Sequence, residues 1–574
     1  MNIDQLVDQI RSSPEIMRNV TGWKEIPARE AVYGPFPKSL KSELLDVLKK
    51  KGIRQLYSHQ SKAIDLVLQG KNVVVVTPTA SGKTLCYNLP VLDAILKNDD
   101  ARALYLFPTK ALSQDQVSEL HEMLALLDHP IKTYTYDGDT PVGARKAIRQ
   151  AGHIVVTNPD MLHSGIMPHH TKWVKLFENL HYIVIDEIHA YRGVFGSNLA
   201  NVLRRLLRLC AFYGSHPQFI LCSATIANPQ ELAQTLIGRP VTLIDNNGAP
   251  LGEKHIIFYN PPVVNRQLGI RKSALHETRR LAEVLLRNKI QTIVFAKSRV
   301  QVEVLTKSLK ELAKDPLGQS GRVRGYRGGY LPGERRDIER SLRAGRVDMV
   351  ISTNALELGI DACLLCGYPG TIASTWQQAG RAGRRQGKSM TIMVTTSAAI
   401  DQYIAGHPDY FFGQSPEHAL LNPDNLYILL SHFKCAAYEL PFKDDEPFGN
   451  ALGVDSMLQY LQEAGILRHV GDVWHWAAED FPASEISLRT AMTENFLIID
   501  ITNPAHHRVV GEMDRFTVPM LLHENAIYMH EGVQFQVEQL GFDACKAFIR
   551  RVDVDYYTDA DLNVSLSLLD IEQQ

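Results

Sequence analysis

The sequence predicts an α/β protein with two tandem, doubly wound parallel sheets and smaller accessory regions around them. Val73–Val76, four valines in a row, indicate a strand buried on both faces, as in the middle of a parallel sheet. Further apolar strands, each ending in polar residues, recur in two sets along the chain, which is typical of parallel sheets with a ligand crevice beyond the strand ends. Only the first set carries Gly82-Lys83-Thr84, so only the first sheet is expected to hold a nucleotide.

Composition limits the class of protein. A chain of 574 residues with 45% hydrophobic and 22% charged residues is typical of a globular protein with several domains. The net charge of −2 carries no signal for nucleic-acid binding, so any such contact must be local. No apolar run reaches about 18 residues and no signal peptide is recognisable, which predicts a cytoplasmic protein. The seven cysteines are scattered, and Cys363 and Cys366 are expected to be buried in a strand and not to bind metal.

Residues 1–55 are predicted to form a helical accessory region, and a helix beginning near Gln60 then leads into the valine strand. A glutamine amide can accept from and donate to the N6/N7 edge of adenine at once. Gln60 is therefore a candidate adenine-binding residue. The alternative is an ordinary solvated residue at a helix start.

A phosphate-binding loop is predicted directly after the valine strand. Gly82-Lys83-Thr84 should open a helix, where N–H groups and the helix dipole favour an anion. Lys83 would neutralise the terminal phosphates of ATP, and the Thr84 hydroxyl would hold Mg²⁺. The strict pattern has glycine where Thr77 stands, and an ordinary strand–turn–helix is the alternative. The predicted cofactor-binding residues are Gln60, Thr79, Ala80, Ser81, Gly82, Lys83 and Thr84.

Four more buried strands of the first set run into polar segments. These segments are Pro108-Thr109-Lys110, Asn158-Pro159-Asp160, Asp186-Glu187-Ile188-His189 and Ser223-Ala224-Thr225. Asp186, at the end of an apolar strand, suits a Mg²⁺ ligand, and Glu187 beside it suits a general base for water. An isolated Asp-Glu pair would usually be a solvated turn. Here a phosphate loop upstream completes a site.

The second set of strands begins near residue 290, after a stretch rich in Pro and Asn. Before its last strand, residues 377–384 read Gln-Gln-Ala-Gly-Arg-Ala-Gly-Arg, where the glycines allow close approach and the arginines can reach a γ-phosphate held by the other lobe. A basic surface loop is the alternative. The predicted catalytic residues are Lys83, Asp186, Glu187, Gln377, Arg381 and Arg384.

In order and separation, these motifs resemble those of superfamily 2 helicases, which have two RecA-like domains. More narrowly, residues 186–197, 367–376 and 424–432 look like the mitomycin-repair-factor helicases, bacterial proteins related to fungal RecQ-four-like helicases. The resemblance implies an ATP-dependent helicase that moves 3′ to 5′ on single-stranded DNA in crosslink or excision repair. An RNA helicase and a non-catalytic, nucleic-acid-clamping scaffold are the alternatives. The scaffold is disfavoured because the catalytic motifs are intact.

The resemblance also implies residue roles. It assigns nucleic-acid contacts to Thr109, Lys110, Thr157, Asp160, Arg327 and Thr353. It assigns coupling between ATP and DNA to His189, Ser223, Thr225, Gly359 and Asp361. The sequence departs from the family after Asp361, where Ala362 follows directly in place of Ile-Gly. The implied cofactors are ATP and Mg²⁺, and the implied partners are single-stranded DNA, tailed duplex DNA and a repair nuclease. A monomer without membrane contact, at the nucleoid if bacterial, is expected.

The C-terminal part of the chain is predicted to hold two smaller domains. Helices followed by a hairpin around Gly471-Asp472 suggest a winged helix, with a plain packing domain as the alternative. Strand-rich segments further on suggest a small β-barrel. The family ends in a four-cysteine zinc module, and no such cluster occurs up to Gln574, so zinc is expected only in a module absent from this chain. The predicted boundaries are 1–55, 56–250, 251–415, 416–480 and 481–574.

Overall fold

A computed structural model of the chain contains the two predicted parallel sheets, which confirms the fold class. The structure describes residues 2–78, 81–138, 140–313, 322–326, 332–353, 360–383, 387–489, 495–504, 507–515, 517–530, 533–554, 556, 558 and 560. The chain divides into two compact units, and the main part of the first ends at Arg489. The first unit holds both RecA-like lobes and the winged helix, and the second holds a β-rich domain.

The N-terminal region is divided between the two lobes and does not form a separate helical domain. Its elements are α1 (Ile3–Ser12), α2 (Pro14–Met17), β1 (Val20–Ile26), β2 (Tyr33–Gly34) and α3 (Ser42–Lys50). The apolar face of α1 packs in the core of the second lobe, while α3 packs in the core of the first. β1 pairs antiparallel with Lys254–Tyr259. The prediction of a helical accessory region is corrected here, because a strand partner so far along the chain leaves no local pattern.

The first lobe is a seven-stranded parallel sheet covered on both faces. Its elements are β3 (Leu56–Tyr57), α4 (Ser58–Leu68), β4 (Val73–Val76), α5 (Thr84–Lys97), β5 (Arg102–Leu106), α6 (Lys110–Leu124), β6 (Thr133–Thr135), α7 (Val142–Ala151), β7 (Ile154–Thr157), α8 (Pro159–Met161), α9 (Val174–Glu178), β8 (Leu180–Ile185), α10 (Gly193–Phe212), β9 (Gln218–Ser223), α11 (Pro229–Ile237) and β10 (Thr242–Ile244). The strand order is β10-β4-β9-β8-β5-β7-β6. Val73 and Val75 face one core and Val74 and Val76 the other, which confirms a strand buried on both faces.

The second lobe has its own seven-stranded sheet. Its elements are β11 (Lys254–Tyr259), β12 (Val263–Asn265), β13 (Ile270–Arg271), α12 (Ala274–Arg287), β14 (Thr292–Ala296), α13 (Arg299–Leu312), β15 (Val323–Tyr326), α14 (Pro332–Arg343), β16 (Met349–Ser352), β17 (Ala362–Cys366), α15 (Ile372–Ala379), β18 (Ser389–Val394), α16 (Ala399–Gly406) and α17 (Pro408–Gly413). The order is β1-β11-β18-β17-β14-β16-β15, parallel except for β1 at the edge. Cys363 and Cys366 lie buried on the central strand β17, as predicted.

The winged helix follows the second lobe and packs on the first. Its elements are α18 (Leu426–Glu439), β19 (Phe442–Lys443), α19 (Val454–Glu463), β20 (Leu467–Val470) and β21 (Val473–Trp476). β20 and β21 form the predicted hairpin, whose two-residue loop begins with Gly471 at φ +66°. A positive φ at that position is what such a tight turn requires, and glycine adopts it without strain.

The second unit is a five-stranded sheet. Its elements are β22 (Asn495–Asp500), β23 (Arg508–Asp514), α20 (Val518–Leu521), β24 (Ile527–His530), β25 (Val533–Gly541) and β26 (Lys546–Val552). The order is β23-β22-β26-β25-β24, and only β22 and β26 run parallel. Among the residues described, β23 and β24 are edge strands, so this sheet is open and the suggested barrel is corrected to a sheet.

Candidate nucleotide site and nucleic-acid face

The loop between β4 and α5 is shaped around Gly82 and Lys83. Gly82 has φ +76°, and a Cβ there would lie 2.6 Å from Gln60 Nε2, so the position requires glycine on two counts. Lys83 Nζ donates to the carbonyl of Thr77 over 2.7 Å. The lysine is thus held at the start of a helix, where an anion would be favoured. The phosphate site that the sequence predicts would lie at this helix start.

Gln60 joins the start of α4 to the phosphate loop. Its Oε1 accepts from the Tyr57 N–H (2.9 Å), and its Nε2 donates to the Gly82 carbonyl (2.8 Å). The oxygen and the nitrogen of the Gln60 amide therefore both make hydrogen bonds. The second N–H of Nε2 remains for adenine. Adenine binding by Gln60 stays a prediction, and the structure adds a positioning contact to it.

Asp186 and Glu187 lie at the carboxyl end of β8, at the centre of the sheet. Asp186 is 7% exposed, and its Oδ1 accepts from the Glu187 N–H over 2.7 Å. Glu187 has φ +55°, a left-handed conformation that costs about 1–3 kcal/mol for such a residue. The short hydrogen bond offsets part of that strain. Backbone strain at a strand end that bears two carboxylates is a common mark of a functional site.

Tyr87 and Gln116, which were not predicted from the sequence, connect Thr84 to Asp186 by hydrogen bonds. Thr84 Oγ1 donates to Gln116 Oε1 over 3.1 Å. The Tyr87 hydroxyl lies 3.1 Å from Gln116 Oε1 and 3.2 Å from Asp186 Oδ2, and its single proton serves one of them at a time. Burial raises the pKa of Tyr87 well above its usual range, so it remains a donor. Only the helical spacing of Thr84 and Tyr87 could have indicated this.

The hydroxyl of Thr84 and the carboxylate of Asp186 are hard oxygen ligands of the kind Mg²⁺ prefers. The Tyr87–Gln116 pair holds both side chains toward the same region beside the phosphate loop. This donor set therefore fits a magnesium ion. Within the described parts of the chain, no cluster of three or more His, Cys, Asp or Glu side chains suits a further metal ion.

His189 contacts the second lobe beside the Glu187 carboxylate. Its Nδ1 accepts from the Ala224 N–H (3.2 Å) and also lies 3.2 Å from Glu187 Oε2. Its Nε2 lies 3.2 Å from Gln377 Nε2 of the second lobe. Burial lowers the pKa of His189, so the ring carries a single proton. Because Nδ1 accepts from the backbone N–H of Ala224, that proton is on Nε2, which donates to the Gln377 amide when the amide turns its oxygen toward the ring.

The second lobe brings Gln377 and Arg381 opposite Glu187. With His189 they line an interlobe cavity of about 500 Å³. Arg381 is only 6% exposed although it is a cation, as expected of a residue aimed into a cleft. Five of the predicted site residues lie outside the described part of the chain, namely Thr79, Ala80, Arg327, Gly359 and Arg384.

Of the predicted coupling residues, Ser223 and Asp361 lie at strand ends. Ser223 is fully buried at the end of β9, and Thr225 lines the interlobe cavity. Asp361 lies directly before β17, and its backbone N–H donates to the Gln291 carbonyl over 3.2 Å.

Ser81, predicted in the phosphate loop, is buried, and its hydroxyl lies 2.6 Å from that of Thr77.

The predicted nucleic-acid residues of the first lobe differ in exposure. Thr109 caps α6, which begins at Lys110, and with Asp160 it lines an open cavity of about 330 Å³ at the ends of β5 and β7. Thr157 is 1% exposed, and its hydroxyl donates to the Tyr136 carbonyl over 2.6 Å. The prediction that Thr157 contacts DNA directly is therefore corrected: it secures the end of β7.

On the second lobe, Thr353 follows β16 and lines a cavity of about 350 Å³. Lys297 and Gly367, at the ends of β14 and β17, line the same cavity. Lys297 was not predicted as a candidate, although it directly follows an apolar strand, where the ligand-binding residues of parallel sheets are expected. Trp376 of α15 packs on Phe411 with ring centres 5.4 Å apart.

Two RecA-like lobes with a phosphate loop on one and Gln377 and Arg381 on the other define an ATP-dependent helicase of superfamily 2. Family comparison agrees. Residues 57–232 match the DEAD/DEAH box helicase family, residues 276–386 match the helicase conserved C-terminal domain, and residues 421–491 match the winged helix domain of the ATP-dependent helicase HRQ1. No helix in the described parts of the chain is long and apolar enough to cross a membrane.

The chain belongs to the family of ATP-dependent helicases that includes the uncharacterized helicase YprA of Bacillus subtilis. The two are 57% identical over 577 residues, which cover 100% of this chain and 76% of YprA. The helicase HRQ1 of Saccharomyces cerevisiae is 35% identical over 97% of this chain and 53% of its own length. The crystal structure of the DUF1998 helicase MrfA bound to DNA and AMPPNP superposes with a TM-score of 0.89 at 56% identity, covering 99% of this chain and 79% of that one. The predicted family and enzyme class are confirmed.

Proposed function

We propose that this helicase is an ATP-driven motor that moves 3′ to 5′ along single-stranded DNA and separates tailed duplexes in DNA repair. The observation that carries the motor is His189, which contacts the Glu187 carboxylate, the Ala224 N–H and the Gln377 amide of the other lobe at once. A change in the phosphates of the bound nucleotide is thereby transmitted to both lobes. The relative MrfA, bound to DNA and AMPPNP, supports DNA as the track.

The first lobe binds and orients the nucleotide. Lys83 counters the charge of the β- and γ-phosphates, and Thr84 and Asp186 hold Mg²⁺. Magnesium, when bound, neutralises the charge that develops on the transferred phosphoryl group. Glu187 accepts a proton from the attacking water while the oxygen of that water forms a bond to the γ-phosphorus. The bond between the γ-phosphorus and the ADP oxygen breaks in the same step.

The second lobe completes the site only when the lobes are closed. Arg381 and Arg384 stabilise the charge on the γ-phosphoryl group, and Gln377 keeps His189 aligned with the catalytic carboxylate. Because these groups belong to a different lobe from Lys83, hydrolysis depends on closure. Loss of the γ-phosphate removes the ligand that both lobes share, and the cleft opens. One such cycle advances the lobes along the strand.

The strand would cross the carboxyl ends of both sheets. Thr109, Lys110, Arg327 and Thr353 contact sugar and phosphate, which position the protein without selecting a sequence. The winged helix, which packs on the first lobe, is proposed to contact the duplex ahead. A repair nuclease is the proposed partner, and the nucleoid of a bacterial cell the proposed place of action.

Strand displacement on duplexes with a 3′ or a 5′ single-stranded tail, built in DNA and in RNA, tests this proposal. We expect ATP-dependent separation of the DNA duplex with a 3′ tail only. Lys83→Ala is the matched control and should separate none of them. Unwinding from 5′ tails alone would overturn the polarity, and unwinding of RNA alone would make the protein an RNA helicase.

A further inference from the structure

Arg489, the last residue of the first unit, lies on the face where the strand is proposed to bind. Its Nε and Nη2 donate to Asp160 Oδ2 over 3.2 and 2.9 Å, and Nη2 also donates to the Pro108 carbonyl over 2.8 Å. The centre of its guanidinium lies 4.3 Å from the centre of the Phe195 ring. Two hydrogen-bond acceptors and one aromatic face therefore fix the plane of this group.

Asp160 cannot itself hold a DNA phosphate. An ionised carboxylate only accepts hydrogen bonds, and it repels a phosphate of the same charge. The expected contact of Asp160 with DNA therefore has to be indirect. In the structure its carboxylate orients a cation, and Arg489 is the group that a phosphate would meet.

The ion pair adds little to stability, because both side chains are nearly half exposed, at 45% and 46%. Exposed pairs of this kind typically contribute about 0–1 kcal/mol. Within the described residues, Nη1 of Arg489 makes no hydrogen bond, so it is available to a ligand. Arg489 borders the open cavity that Thr109 also lines. A fixed guanidinium with one free edge on an open cavity is suited to a phosphate oxygen.

We infer that Arg489 is a further contact to the nucleic-acid backbone, with its Nη1 edge donating to a phosphodiester while Asp160, Pro108 and Phe195 hold the guanidinium in place. This inference rests on the proposed function and adds a residue from outside both RecA-like lobes. The chain segment that leaves the winged helix thus contributes to the track of the first lobe. Arg489 also borders the interlobe cavity that contains Glu187, so a bound strand would lie close to the site of hydrolysis.

The test is the affinity of the full chain for a labelled single-stranded oligothymidylate as a function of salt. Each phosphate contact on a single strand contributes about −0.7 to the slope of log affinity against log salt concentration. Arg489→Ala should make that slope shallower by about 0.7 and weaken binding about tenfold, the weak end for a lost charge-assisted hydrogen bond. Arg489→Lys should keep the slope but lose affinity, because ammonium lacks the planar fork.

Asp160→Asn separates this role from a structural one. Asparagine still offers an oxygen to Arg489 but carries no charge, so binding should tighten several-fold with the slope preserved. If Asp160 served only to hold the local structure together, Asp160→Asn should weaken binding of the oligonucleotide instead. Arg287→Ala removes an exposed arginine of α12, paired with Glu283, and should leave both affinity and slope unchanged. Thermal unfolding of each variant checks that the fold persists.

The outcomes distinguish this inference from the proposed function. If the unaltered protein bound the oligonucleotide without salt dependence, the proposed function would fail. If it bound normally while Arg489→Ala kept the full slope, only the role of Arg489 would be wrong. Weaker binding by Asp160→Asn would also overturn it.

Discussion

Arg205 of α10 and Glu439 of α18 form a buried ion pair that joins the first lobe to the winged helix, with Nε donating to Oε2 over 3.1 Å. Their side chains are 0% and 2% exposed. Arg205 Nη1 also donates to Nδ1 of His163 over 2.8 Å and to Nδ1 of His432 over 3.1 Å. The winged helix is thereby fixed to the first lobe, and the two should move as one body when the second lobe closes.

Removing one partner of this pair should destabilise the protein strongly. Glu439→Ala leaves the Arg205 charge buried without compensation, which typically costs about 3–5 kcal/mol. Urea denaturation followed by tryptophan fluorescence measures this, since Trp474 lies in the winged helix. Replacing both residues, by Arg205→Met with Glu439→Leu, should recover only part of the loss, because Nδ1 of His163 and Nδ1 of His432 then lose their donor. Asp46→Ala, which breaks an exposed pair with Lys49, is the matched control. A loss for Glu439→Ala no larger than for this control would contradict the account.

The same cluster predicts a loss of stability in acid. Burial, with Arg205 nearby, lowers the pKa of His163 to about 3 and that of His432 well below 6.5. Below 6.5 the unfolded chain gains protons that the folded protein does not, so the free energy of unfolding should fall by about 1.4 kcal/mol per pH unit for each histidine. Denaturation at a series of pH values checks this. His163→Gln should reduce the slope by one proton, and an unchanged slope would show that His163 does not contribute.

His189 and Gln377 should act as a unit in coupling. His189→Ala and Gln377→Ala each break the 3.2 Å contact between the lobes, so the double variant should be little worse than either single variant in DNA-stimulated hydrolysis. Residues in direct contact typically show about 0.5–3 kcal/mol of such non-additivity. The measurement is kcat/KM for ATP with DNA present. Additive losses would mean that the contact carries no coupling.

Two variants of the first lobe should separate nucleotide binding from hydrolysis. Lys83→Ala removes the counter-charge to the phosphates, so ATP affinity and turnover should both fall. Glu187→Gln keeps shape and hydrogen bonding but removes the base, so ATP should still bind and hold the enzyme closed on DNA. Nucleotide affinity and DNA dissociation rates report these states. Rapid release of DNA by Glu187→Gln with ATP bound would argue against Glu187 as the base.

Arg384→Ala tests the contribution of the second lobe. Nucleotide binding to the first lobe should survive, while hydrolysis drops by about 10³-fold, the lower end for a lost arginine finger. DNA stimulation should disappear with it, because closure no longer completes the site. ATP affinity measured beside DNA-stimulated turnover distinguishes these effects. Stimulated turnover near that of the unaltered protein would refute the two-lobe mechanism.

Much of the candidate nucleotide site could be proposed from the sequence because its chemistry is local. Gly82, Lys83 and Thr84 are adjacent, and Asp186 and Glu187 end a single strand, so strand and loop patterns were sufficient to find them. Tyr87 and Gln116 were missed because their role depends on side chains from two helices meeting Asp186. Thr157 was wrongly expected to contact DNA because burial depends on neighbouring strands.

The sequence by itself determined the two parallel sheets, the phosphate loop and the family, because buried strands and the polar residues at their ends leave local patterns. Only the tertiary structure decided where distant segments go. β1 joins the second sheet, Arg205 meets Glu439, and Arg489 reaches Asp160, each across a long stretch of chain. Edge-strand pairing and ion pairs of this kind place no requirement on neighbouring residues. These long-range contacts arise from packing, and no periodicity in the sequence predicts them.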